Sequence, residues 1–171
     1  MTRKLMKKIS LVFTMLIFGG TYVFAQSTAT PLSILSKKEP NIRWNTKSLI
    51  KGDFDYDGVT DFALRGRKGK VFVLGIVKGA LNNRSKSQML EFGEDAGDQG
   101  SLCSVDKAII NTDDIDKDYM EFAKDYLEPR YIKAFARLPR TSKGITVSDG
   151  MCDSFHVFWD KQTNKFIWWR V

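Results

Sequence analysis

A short acidic segment between Gly52 and Phe62 constrains this chain more than any other part of it. It reads GDFDYDGVTDF, with aspartates at positions 1, 3, 5 and 9 counted from Asp53 and a glycine, Gly58, at position 6. Alternate residues of an extended backbone point the same way, and the glycine permits the sharp turn that brings the chain back. This spacing predicts a loop wrapped around a hard cation. Ca²⁺ is favoured because it accepts about six to eight oxygen ligands in a flexible geometry.

Five residues are the predicted ligands of this calcium loop at 53–61: the side chains of Asp53, Asp55, Asp57 and Asp61 and the main-chain carbonyl of Val59. The loop is not an EF-hand, because Leu64 stands where that motif needs a bidentate glutamate. The alternative is a solvated turn, since Asp and Gly are favoured turn residues. A turn needs only one of each, so the cation loop is the preferred interpretation.

The first 25 residues are typical of a secretory signal peptide. A basic start is followed by the apolar run from Ile9 to Phe18, and Val23-Phe24-Ala25 fits the small-residue cleavage rule. We expect cleavage near Ala25 and a secreted or periplasmic protein with no membrane association afterwards. The alternative is an uncleaved membrane anchor, for which the 17 residues from Ile9 to Ala25 are marginally short. Cleavage lowers the formal net charge from +7 to +3, and with export this argues against a nucleic-acid partner.

The 146 residues that follow the leader are enough for one domain with a hydrophobic core. Residues 26–40 are rich in Ser, Thr and Pro and are predicted to be a lead-in segment, with order beginning near Asn41. Residues 41–171 are predicted to form a single β-rich domain. Two cysteines in an exported chain predict a disulfide between Cys103 and Cys152, with two free thiols as the alternative.

Apolar alternation predicts a compact, mainly antiparallel β domain with a minor helical part. Runs at 61–65 and 71–77, linked by a glycine-containing turn, predict a hairpin whose second strand is buried on both faces. Other strands are predicted at 41–50, 89–92 and 144–147, with a surface loop at 93–101. Residues 154–159 and 165–171 predict a C-terminal hairpin. Its alternation places Phe155, Val157 and Trp159 on the face opposite His156 and Phe158.

One helix is predicted, from about Asp114 to Leu127, with Pro129 ending it. Four aspartates precede or begin it: Asp113, Asp114, Asp116 and Asp118. They lack a glycine at the turning position, and acidic residues are favoured in a first helical turn by the helix dipole. We therefore assign them to the helix start and not to a second cation loop.

The segment GDFDYDGVTDFAL resembles the calcium loop of FG-GAP repeats, also called VCBS-like or integrin α-type repeats. The family pattern is D-x-D-x-D-G-x-x-D followed by a short apolar strand. The resemblance implies calcium ligation by the five residues already given. In the family, several repeats build a β-propeller, whereas this chain carries the motif once. It is more similar to small exported bacterial proteins with a single motif, so the resemblance implies a metal site and not a biological role.

The expected function is that of an exported, non-catalytic calcium-binding β module in which the metal stabilises the fold. The alternative is a module that recognises a protein or glycan, of the inhibitor or immunity type, through Trp159, Trp168 and Trp169 of the aromatic C-terminal hairpin. A hydrolase is less expected. His156 is the only histidine, and no G-x-S-x-G sequence occurs.

Overall fold

The computed structural model describes residues 29–93, 100–127, 129, 132, 138 and 142–170. The first sheet contains β1 (Arg43–Trp44), β2 (Ile50–Gly52), β3 (Asp61–Lys68), β4 (Val71–Val77) and β5 (Ser87–Gly93). The second contains β6 (Ile109–Ile115), β7 (Ser142–Ser148), β8 (Phe155–Asp160) and β9 (Lys165–Arg170). Two α-helices, α1 (Pro31–Lys38) and α2 (Lys117–Ala123), and a 3₁₀ turn (Thr46–Ser48) complete the elements.

Both sheets are antiparallel, and most of their strands follow one another in chain order. The first has the order β1-β3-β4-β5, with β2 pairing beside β1 along the same edge of β3. The second has the order β6-β7-β8-β9. These sequential pairings confirm the predicted compact antiparallel β fold class.

The two sheets pack face to face around one central core. Alternate residues of β4 (Phe72, Leu74 and Ile76) lie in the same buried cluster as Phe155 and Val157 of β8. Phe92 of β5 lies with its ring centroid 4.6 Å from that of Phe155. The Gln88 side chain also joins the sheets, since it donates to the Phe166 carbonyl at 2.7 Å and accepts from its N–H at 2.8 Å.

Each helix covers the outer face of one sheet. Leu35 of α1 packs with Leu64 and Val77, and Ala123 of α2 packs with Phe158 and Trp169. The α1 cover buries the outer face of β4, which confirms the prediction that 71–77 is a strand buried on both faces. Gly75 permits this close packing, because a Cβ there would lie only 2.6 Å from the Trp44 ring and 2.9 Å from Leu35.

Both predicted hairpins are present. The hairpin of β3 and β4 turns at Gly69 and Lys70, later than predicted, and Gly69 has a φ of +60° that favours glycine. The terminal hairpin shows the predicted alternation. Phe155, Val157 and Trp159 face the central core, and Phe158 faces the α2 side.

The predicted helix over 114–127 is wrong at both ends, because α2 begins at Lys117 and ends at Ala123, with a turn over 124–127. Asp113 and Asp114 lie on β6, where the strand pairs with β7 from Ile109 to Ile115. Asp116 is the helix N-cap and accepts from the Tyr119 N–H, and Asp118 lies in the first turn. Cross-strand pairing therefore outweighs the dipole preference that placed all four aspartates in the helix.

Regular structure begins earlier than the predicted Asn41, because residues 31–38 of the lead-in segment form α1. Thr30 and Ser33 make a reciprocal capping box and Pro31 occupies the first turn. The predicted strand at 41–50 is divided into β1 and β2 by the 3₁₀ turn. The predicted signal peptide and residues 94–99 of the predicted surface loop lie outside the described residues.

Candidate metal centre

The acidic loop connects β2 to β3 and is fastened to the core at one residue. Phe54 is 1% exposed and belongs to the central cluster, so the loop cannot detach without exposing a large ring. Tyr56 and Gly58 both have positive φ values, of 60° and 84°, which produce the reversal predicted at Gly58.

Asp61, the first residue of β3, holds the loop in place through hydrogen bonds to its backbone. Its buried carboxylate accepts the N–H groups of Phe54 and Asp55 on Oδ2, at 2.9 and 3.1 Å. Its Oδ1 accepts the N–H of Gly79 at 2.7 Å, just after β4. The Asp61 side chain, at the start of β3, therefore connects the first residues of the loop to the segment that follows β4.

Asp53 and Asp57 make the turns at the exposed end of the loop. The Asp53 carboxylate accepts the N–H groups of Asp57 and Gly58, each at 3.0 Å. Asp57 Oδ1 accepts the Val59 N–H at 2.8 Å. These bonds use one lone pair of each oxygen and leave the other available, because a carboxylate oxygen carries two.

Three of the predicted ligands converge. Carboxylate oxygens of Asp53, Asp55 and Asp61 lie within 4.8 Å of one another. Asp57 is exposed and is not in this group. The structure thus brings together three of the four predicted side chains, and ligation by Asp57 and by the Val59 carbonyl stays a prediction.

Lys78 is a member of the site that sequence reasoning missed. Its Nζ lies 2.7 Å from Asp55 Oδ2, with the two side chains 19% and 4% exposed. The same ammonium sits 3.6 Å from the ring centroid of Trp159. The only local signal is that Lys78 directly follows the buried strand β4, which does not indicate a contact with Asp55, 23 residues earlier in the chain.

The electrostatics of the cluster are those of crowded anions. Two carboxylate charges separated by 4.8 Å, the upper limit for the oxygens of this cluster, repel by roughly 3 kcal/mol at an effective dielectric constant of about 20. Burial raises the pKa of Asp61 to about 6, the Asp55 charge adds to this, and the N–H groups of Gly79, Phe54 and Asp55 oppose it. Burial and the charges of Asp53 and Asp55 likewise raise the pKa of Tyr56.

The cluster fits a hard cation by its chemistry. All of its converging donors are carboxylate oxygens, the ligands that Ca²⁺ prefers. Asp55 Oδ1 is buried and receives no hydrogen bond from the described residues, which is costly unless another partner is supplied. Lys78 opposes metal binding, because its ammonium competes with a cation for the Asp55 carboxylate.

The two cysteines lie at disulfide distance, as predicted for an oxidising compartment. Their Cα atoms are 5.7 Å apart, and they join the stretch before β6 to the one before β8. Asp149 supports this region, because its carboxylate accepts the N–H groups of Ser104, Met151 and Cys152. Burial alone would raise the pKa of Asp149, but these donors hold it below the ordinary value.

The aromatic residues proposed for partner recognition are mostly core residues. Trp159 and Trp169 are 5% and 4% exposed, and Trp168 is half-buried against the central cluster. A contact surface needs accessible rings. Residues 155–170 therefore offer no exposed tryptophan patch to a protein or glycan.

His156 belongs to a small polar cluster on the α2 side. Its Nδ1 lies 3.1 Å from Asp113 Oδ2, which also accepts from the Thr146 hydroxyl at 2.8 Å, and its ring stacks on Trp169. Burial opposes ionisation of Asp113, but the bonds from His156 and Thr146 lower its pKa overall. The non-catalytic interpretation stays a prediction.

Fold and site together define a two-sheet β protein with a helix on each outer face and an acidic loop at the edge of one sheet. No protein-family model matches the chain, and no curated protein or solved structure is significantly similar to it. None of the helices in the described part of the chain has the length and apolar character needed to cross a membrane.

Proposed function

We propose that this protein is an exported calcium-binding β module in which Ca²⁺ stabilises the fold and takes no part in catalysis. The observation that carries the proposal is the buried Asp55 Oδ1, which receives no hydrogen bond from the described residues. The Asp55 carboxylate lies close to those of Asp53 and Asp61. A divalent cation would supply the missing partner and relieve the repulsion among the three charges.

Two further features support this proposal. The leader predicts export, and the cysteine pair at disulfide distance suits an oxidising compartment. The loop is already held by Phe54 and Asp61, so a cation would bind to backbone that is largely formed. A site of this kind stabilises the folded state by mass action and needs no conformational switch.

The test is thermal unfolding of the purified protein after metal removal, with and without calcium. At about 10 mM calcium and a Kd of about 10⁻⁴–10⁻³ M, mass action predicts a gain of roughly 1.5–3 kcal/mol. For a chain of this length that gain corresponds to a rise in Tm of about 3–10 °C.

Three variants localise the effect. Asp53→Asn/Asp55→Asn should abolish the calcium-dependent rise, whereas Asp125→Asn, at an exposed position in the turn after α2, should keep it. Asp57→Asn should keep most of it if only the three converging carboxylates bind, and lose it if the full predicted ligand set does. A wild-type Tm that is unchanged by millimolar calcium, or that rises equally in the double variant, contradicts the proposal.

A further inference from the structure

A cleft of about 940 Å³ lies beside the acidic loop and has the opposite charge. Five of its described lining residues are lysines: Lys37, Lys38, Lys78, Lys86 and Lys165. None of the described lining residues is an aspartate or glutamate, although the chain as a whole has 20 acidic residues to 27 basic ones. A wall of one sign focuses the electrostatic potential into the cleft and attracts anions.

The lysines come from three parts of the fold. Lys37 and Lys38 lie at the end of α1, Lys78 and Lys86 lie in the connection between β4 and β5, and Lys165 begins β9. A periodic solvated face of one helix would not produce this arrangement. Packing between α1, the first sheet and the terminal hairpin brings the charges to one concave surface.

Most of this charge is not neutralised within the described part of the chain. Lys78 pairs with Asp55, but no described carboxylate lies within 4 Å of the ammonium groups of Lys37, Lys38, Lys86 or Lys165. Lys38 is held in place by neutral acceptors, since its Nζ donates to the Ser87 carbonyl at 2.9 Å. Its position is therefore fixed while its charge remains available.

We propose that this cleft binds a small polyanion that carries two or more phosphate, sulfate or carboxylate groups. Several ammonium groups on one concave surface match several oxyanions on one molecule, because each such contact is a charge-assisted hydrogen bond. The volume lies at the upper end of the range for small-molecule sites, about 300–1,000 Å³, which favours a ligand larger than a single phosphate or sulfate.

The test is isothermal titration of the purified protein with two probes, inositol hexakisphosphate and a tetragalacturonate. The first is a compact phosphate cluster and the second an extended carboxylate chain, so their comparison distinguishes the two sources of oxyanion. The buffer is stripped of metal with a resin, because a soluble chelator such as EDTA is itself a polyanion. Metal-free conditions also keep the result independent of the calcium proposal.

Charge-reversal variants show whether binding occurs in the cleft. Lys37→Glu/Lys86→Glu changes two exposed cleft lysines, and Lys47→Glu/Lys68→Glu makes the same change in charge at exposed positions outside it. We expect at least one probe to bind wild type, with affinity about tenfold or more weaker in the cleft variant and changed less than about threefold in the control. Absence of binding by both probes, or an equal loss in both variants, overturns the proposal.

Discussion

Replacing Lys78 with methionine should destabilise the protein strongly without calcium and only weakly with it. Lys78 and Asp55 form a pair whose side chains are 19% and 4% exposed, so removing the ammonium leaves a carboxylate buried without its counter-charge. Loss of one partner of a buried pair costs about 3–5 kcal/mol. We expect the lower end, about 3 kcal/mol, because water reaches the lysine; methionine keeps an apolar contact with Trp159.

Calcium should reverse most of this loss. A bound cation would neutralise Asp55 in place of the ammonium, so the cost of the substitution should fall below about 1 kcal/mol at saturating metal. The difference of roughly 2 kcal/mol must appear in binding as well, as a calcium affinity about 30-fold higher in Lys78→Met than in wild type.

The assay is urea unfolding of wild type and variant, with and without calcium, after metal removal. Lys143→Met is the matched control, because it breaks an ion pair with Asp114 whose side chains are 44% and 73% exposed. An exposed pair of this kind contributes at most about 1 kcal/mol and should not respond to calcium. An equal loss for Lys78→Met in both conditions would falsify the argument that the lysine and the metal share Asp55.

Two further predictions concern pH and the cysteine pair. Because the pKa of Asp61 is raised from 3.8 to about 6, its proton stabilises the metal-free fold below about pH 4, and this contribution is lost as the pH rises to about 6. Urea unfolding across that range should show a decline of up to roughly 3 kcal/mol that is absent in the non-titrating Asp61→Asn, and a parallel decline in both proteins contradicts the assignment. Cys103→Ser/Cys152→Ser should lower the free energy of unfolding by about 4 kcal/mol on the chain-entropy model for a sequence separation of 49, and an unchanged urea midpoint under non-reducing conditions contradicts a disulfide.

The parts of the fold that were predictable from sequence are those fixed by local alternation. The terminal hairpin is an example, because period-two burial of Phe155, Val157 and Trp159 needs only a neighbouring strand and a turn. The start of α2 was not predictable in this way. Residues 113–115 satisfy the rules for a helix start, yet pairing with residues 142–144 draws them into a strand.

The helix α1 was missed for a different reason. Its signals are present in the sequence, since Thr30 and Ser33 form a capping box around Pro31. The Ser/Thr/Pro-rich composition of the segment, on which its prediction as a lead-in rests, is typical of irregular structure. Leu35 is what makes the helix part of the domain, because it is fully buried against the first sheet.

In the candidate site too, contacts within one short segment were predictable from sequence and contacts between distant segments were not. The spacing of the loop predicted that the carboxylates of Asp53, Asp55 and Asp61 meet, but it predicted the same of Asp57, which is exposed and outside the group. The contribution of Lys78 depends on how the end of β4 lies against the loop, and no local pattern encodes that. The same limit applies to the lysine cleft, which exists only once α1 and the terminal hairpin meet the first sheet.

The way in which the loop is anchored determines what kind of site it can be. A calcium sensor needs an element that has two arrangements, so that metal binding can shift the balance between them. Here Phe54 is inserted in the central core, and Asp61 holds the loop through three backbone N–H groups. Moving the loop would expose the ring and break those bonds, so calcium bound as proposed would neutralise charge in a loop already formed and would act as a constitutive structural ligand. In the metal-free protein the N–H groups of Phe54, Asp55 and Gly79 should therefore already be protected from amide hydrogen exchange, and fast exchange at all three without calcium would contradict this inference.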